Sequence, residues 1–193
     1  MPKPLLSARY RVVVRDREGH IMHIEEAPSR SFILNFLYML WIELNGNTTD
    51  SISSVNSSGQ QITETVAFSQ GWWEWCYGSA VLYAGIQVGS GTSPPSASSP
   101  YLESLILNGT GSGQLSYGSN SVTSPSISSN PGTMTITRPF TNNSGGSVTV
   151  GEIGLAPNYG SDAVLIIHDV LSPAAVVPNG GSITVTYTMQ VNT

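Results

Sequence analysis

Gly181–Val191, GSITVTYTMQV, sets Ile183, Val185, Tyr187 and Met189 in strict alternation with threonine and glutamine. A period of two with apolar residues on one face is the pattern of a half-buried β-strand. Val177-Pro178-Asn179-Gly180 leads into it as a turn. Upstream, Val164–Val170 (VLIIHDV) reads as another strand. Thr133–Phe140 (TMTITRPF) and Ser147–Leu155 (SVTVGEIGL) flank Thr141–Gly146, TNNSGG, whose glycines suit positive φ. This pair is expected to form a hairpin.

The same period holds through the middle of the chain. Ile62, Val66 and Phe68 mark one strand, and Ala80–Val88 (AVLYAGIQV) a buried one. Trp73, Trp75 and Tyr77 share a face opposite Trp72, Glu74 and Cys76. Gly89–Pro100, GSGTSPPSASSP, carries three prolines and is excluded from a sheet interior. Near the start, Tyr10–Arg15 and His20–Glu25 form a hairpin across Asp16-Arg17-Glu18-Gly19. Eight to ten strands with turns between them predict a mainly β protein, an antiparallel β-sandwich or jelly-roll-like domain with an N-terminal β-hairpin and one apolar α-helix.

That helix comes from Phe32–Leu44, FILNFLYMLWIEL, about thirteen residues against the roughly 20 that span a bilayer. Ser29 or Ser31 is the expected N-cap, and Asn45-Gly46 the stop. Its apolar residues lie on every face, so one sheet cannot cover it. Phe32, Phe36, Leu37, Leu40 and Trp41 are therefore expected at a subunit interface. The resulting division is a hairpin and helix over 1–45, an interaction arm that can also pack on the body, a polar loop over 46–60, and a β-sandwich body over 61–193.

Charge supports contacts between neutral surfaces. Charged residues make up 10% of the 193-residue chain, against about a quarter in ordinary globular domains. Residues 1–30 carry six basic and four acidic groups, and residues 31–193 one basic, Arg138, and eight acidic. Ser, Thr, Asn and Gly must wet the surface, with little charge to desolvate when a contact forms. An acidic chain whose body is almost free of cations repels phosphate, so nucleic acid is not an expected partner. The lone Cys76 excludes an internal disulfide, and the charged opening strands predict synthesis and assembly in a cytoplasm without a secretory signal.

Convergent chemistry is lacking in the sequence. His20 and His23 fall on opposite strand faces, as do His168 and Asp169, and no G-x-S-x-G elbow accompanies the serines. Glu64, Glu74, Glu103 and Glu152 are isolated acids, and Glu152 is expected to accept hydrogen bonds rather than to act as a glycosidase acid. The glycine runs at 89–91 and 109–113 lack the Lys and the helix of a phosphate loop. Neither catalysis nor a cofactor or metal is expected. Trp72, Trp73, Trp75 and Tyr77 are the candidate glycan or interface aromatics.

Four segments resemble a family of tailed-bacteriophage virion structural proteins. They are GIQVGSGTSPPSASSPYLESLI (85–106), NGTGSGQLSYG (108–118), PFTNNSGGSVTVGEIGLAP (139–157) and LIIHDVLSPAAVVPNGGSITVTYTMQV (165–191), and SRSFILNFLYML (29–40) is similar to the helix that precedes them in that family. His168 stands where the pattern commonly has a basic residue. The resemblance implies a virion component, in tail, baseplate or capsid decoration, whose partners are further copies of itself and other virion proteins. A receptor- or glycan-binding module on the particle, using the Trp cluster, is the alternative.

Overall fold

The computed structural model describes residues 6–29, 31–45, 49–56, 58–67, 82–124, 132–159 and 162–191. In chain order the elements are β1 (Leu6–Arg15), β2 (Ile21–Ser29), α1 (Leu34–Asn45), β3 (Thr49–Val55), β4 (Gln61–Ala67), β5 (Gly85–Gly89), β6 (Ser116–Tyr117), β7 (Ser121–Val122), β8 (Gly132–Thr141), β9 (Val148–Ala156), β10 (Asn158–Tyr159), β11 (Asp162–Ala163), β12 (Ile167–Val177) and β13 (Ser182–Val191). The chain is mainly β, and its sheets are antiparallel.

The alternating stretch at 182–191 becomes the centre of a six-stranded sheet, ordered β2-β1-β13-β8-β6 with β7 also on β8. Its register aligns Tyr10, Tyr187 and Ile136 in one row, Val12, Val185 and Arg138 in the next, and Val14, Ile183 and Phe140 in a third. All nine are buried. The threonines face the other way, where Thr137 Oγ1 and Thr186 Oγ1 lie 2.9 Å apart across the strands. Because β1 is paired along its full length with β13, the N-terminal hairpin packs on the body as part of this sheet.

Facing this sheet is a three-stranded one, β12-β9-β5, and Ile86, Val88, Val150, Ile153, Leu155 and Ile167 join the first sheet's apolar rows in one core. This is the sandwich. The second sheet is covered on its other side too, by Ile33, Tyr83, Ala84, Leu102 and Leu165 of the flanking segments. Only Thr149 of β9 is exposed. A strand buried on both faces must satisfy every polar side chain internally, and Glu152 lies there.

Three expectations change. Thr133–Phe140 and Ser147–Leu155 do not form a hairpin: β8 pairs with β13 and β9 pairs with β12 and β5, so the TNNSGG segment crosses from one sheet to the other. Asn142, fully buried, holds this corner. Its Nδ2 donates to the carbonyls of Gly146 and Val177, each at 2.8 Å, and its Oδ1 accepts from Ser144 N at 3.0 Å and Ser144 Oγ at 2.7 Å. Asn142→Ala leaves the buried Val177 carbonyl without that donor, and a loss of about 1–3 kcal/mol is expected in urea unfolding. The polar stretch 46–60, expected as a loop, contains β3, which pairs with β4 from Thr49↔Ala67 to Val55↔Gln61. The expected buried strand at 80–88 is shorter, since residues 82–84 form a turn before β5.

Neither expected serine caps α1. Phe32 bridges Ile167, Ile33 N donates to Ile166 O and His168 N donates to Ser31 O, so 31–33 runs as a short edge strand against 166–168. The helix then starts at Leu34, whose N–H donates to Ala97 O in the proline-rich loop at 2.8 Å. That tertiary carbonyl replaces a side-chain cap for one of the first-turn donors.

Candidate functional site

The loop 89–104 is fastened to the outer face of β9 by one carboxylate. Glu152 is fully buried, and its Oε1 accepts from Gly91 N (3.0 Å) and Ser104 N (2.7 Å). Its Oε2 accepts from Glu103 N (2.9 Å) and lies 2.7 Å from His168 Nε2 on β12. Four donors thus converge on the two oxygens. Burial alone opposes ionisation, but the His168 and backbone hydrogen bonds outweigh it and hold the Glu152 pKa below the ordinary glutamate value. Gly151 lets the loop approach, because a Cβ there would collide with the Gly91 carbonyl.

Glu103 fastens the same loop from outside. Its Oε2 accepts from Thr92 N and Ser93 N, both at 3.0 Å, and its Oε1 from Ser93 Oγ at 2.8 Å. The backbone and hydroxyl bonds from Ser93 hold its pKa low as well. His168 and Asp169 point to opposite faces, as their adjacency requires: His168 meets Glu152, while Asp169 Oδ2 accepts from the Tyr187 hydroxyl at 3.1 Å. Burial, followed by the nearby Asp169 charge, pushes the Tyr187 phenol well above its ordinary value.

Arg138 is a second buried hub. Its guanidinium donates to the carbonyls of Leu82 (2.8 Å), Ala84 (3.0 Å), Ile86 (3.0 Å) and Gly118 (2.8 Å), and it lies 4.7 Å from the Tyr117 ring centroid and 5.7 Å from that of Phe140. The single cation of the body is therefore internal.

The helix residues expected at an interface separate into two groups. Phe32 and Phe36 turn inward and pack partly buried against the core, their ring centroids 4.9 Å apart. Leu37, Leu40 and Trp41 turn outward together with Leu34, at 59%, 41%, 46% and 44% exposure. Trp72, Trp73, Trp75 and Tyr77 lie outside the described residues. At the tip of the β1–β2 hairpin, Asp16, Glu18 and His20 bring potential ligand atoms within 4.8 Å of one another, and His20 Nδ1 is already 3.0 Å from Asp16 Oδ2. No helix among the described residues is long and apolar enough to cross a membrane.

Sequence reading placed Glu152 as a hydrogen-bond acceptor but treated it as isolated from His168. It missed Arg138 as a hub and Asn142 as a corner. For Arg138 the signal is present: it shares strand parity with Ile136 and Phe140. No known protein family, curated protein or solved structure matches the chain.

Proposed function

We propose that this chain is a structural protein of a bacteriophage-like virion, localised to the particle and forming contacts with copies of itself and other virion proteins. The observation that carries the reading is the outward row Leu34, Leu37, Leu40 and Trp41, an apolar helix surface on a chain with little charge to desolvate around it. The motif series at 85–106, 108–118, 139–157 and 165–191 supplies the virion context. Edge strand β2 adds exposed Ile21, Met22 and Ile24 as further apolar surface. We assign no turnover, since Glu152 is committed to four donors and the Arg138 guanidinium to backbone carbonyls.

Two measurements test this. The purified chain is expected to self-associate in sedimentation velocity, and the double variant Leu37→Asp/Trp41→Asp to weaken association by more than about tenfold, because each large apolar side chain buried contributes roughly 1.5–3 kcal/mol. An antibody to the chain is expected to label purified particles at fixed copy number. A chain that stays monomeric at high concentration and is missing from particles overturns the proposal.

A further inference from the structure

Beside the Glu152 cluster an open pocket of about 320 Å³ has no role in the assembly reading. Gln61, Pro94, Pro100, Tyr101, Glu103 and His168 line it. We propose that it binds a sugar residue bearing no negative charge, a neutral or amino pyranose.

His168 sets the first requirement on a ligand. The residue is 2% exposed and its Nε2 lies 2.7 Å from a carboxylate oxygen of Glu152. An ionised carboxylate only accepts, so Nε2 carries the proton that meets Glu152. Nδ1 is buried and has no hydrogen-bond partner. Buried polar atoms are nearly always paired, and an orphan on a residue that lines the pocket calls for a polar partner from the ligand. A hydroxyl both donates and accepts, and so serves Nδ1 in either role.

The charge and shape of the lining narrow the class. Glu103 contributes a carboxylate whose Oε1 accepts one bond from Ser93 and retains acceptor capacity, and among the described residues no Lys or Arg lines the pocket. Phosphate and carboxylate ligands would meet negative charge without a cation to offset it. Pro94, Pro100 and the Tyr101 ring offer apolar surfaces suited to the C–H faces of a pyranose, while the Gln61 amide both donates and accepts. The volume is at the small end of ligand pockets, which fits a single residue better than a long chain. The wall is also preorganised. Loop 89–104 is tied down by Glu152 and Glu103, and the Tyr101 hydroxyl donates to Ile62 O at 2.7 Å.

The test is saturation-transfer NMR on the full chain with methyl glucoside, methyl galactoside, N-acetylglucosamine and glucosamine, against glucuronate and glucose 6-phosphate. Transfer to at least one uncharged or amino sugar is expected, with none to the two acids. Gln61→Ala and Glu103→Gln, checked for unchanged folding by circular dichroism, should each weaken binding about tenfold, the effect of losing one or two hydrogen bonds. Gln61 is exposed on β4, so its variant carries the test even where Glu103→Gln perturbs the loop. Absence of transfer from every sugar, equal transfer to the acids, or binding unchanged in Gln61→Ala overturns the proposal, and leaves a pocket that holds water alone. The result is independent of assembly: a chain that stays monomeric, is missing from particles and still binds sugar refutes only the virion reading.

Discussion

Arg138→Ala is expected to cost about 3–5 kcal/mol of stability, the scale at which removing one partner from a buried charged network unfolds many domains. Arg138 is 4% exposed at the middle of β8, facing the core. From there it reaches the turn before β5 through Leu82, Ala84 and Ile86, and the segment after β6 through Gly118. Truncation strands carbonyl oxygens that water cannot easily reach and removes the cation packed against the Tyr117 and Phe140 rings. Arg138→Lys keeps the charge but lacks the planar fork of five donors, so it should recover less than half of the loss. Urea unfolding by circular dichroism measures both variants. A loss below about 1 kcal/mol for the alanine variant contradicts the hub.

How far this architecture can be read from the residues depends on where the deciding interaction lies. β13 and β1 are legible because their faces differ: Ile183, Val185 and Tyr187 alternate with threonine, and Tyr10, Val12 and Val14 with arginine or a less buried valine. The helix is legible from its length and its missing turn signals. The β8–β9 connection is not, because TNNSGG carries the glycines of a hairpin, and what sends β9 to the other sheet is Asn142 bonding to Val177, 35 residues away. β3 is hidden for a different reason. Thr49–Val55 has only Ile52 and Val55 as apolar members, and its pairing with β4 is set by backbone hydrogen bonds that composition does not display. The candidate site fails to show for the same reason as the corner. Glu152 and His168 are 16 positions apart on paired strands, and the loop amides that complete the cluster arrive from 48 to 61 positions upstream. The pocket's Gln61 and Tyr101 are brought together by the Tyr101–Ile62 bond across 39 positions.

Glu152→Ala is expected to lower stability by about 3–5 kcal/mol at neutral pH, since it leaves three loop amides and His168 Nε2 buried without their acceptor. Glu152→Gln should lose about 1–3 kcal/mol, because a carboxamide offers one accepting oxygen where four donors converge and turns its own donors toward at least one of them. The pH profile identifies the cause. In the folded chain the Glu152 pKa lies below the ordinary value of 4.5, so the folded state binds this proton less readily than the unfolded chain does. Its contribution is fully present above pH 4.5 and is lost as pH falls through the folded value. Wild-type stability should therefore drop as the solution is acidified below that point, and the alanine variant should show a flatter acid limb. The alkaline limb should be common to both proteins. Burial raises the phenols of Tyr117 and Tyr187 above 10, so their contribution is present below the unfolded tyrosine value and is lost as pH rises through the folded ones. Urea midpoints measured from acid to alkaline pH separate the two limbs. Equal acid slopes in wild type and Glu152→Ala would show that the 89–104 loop is held by something other than this carboxylate.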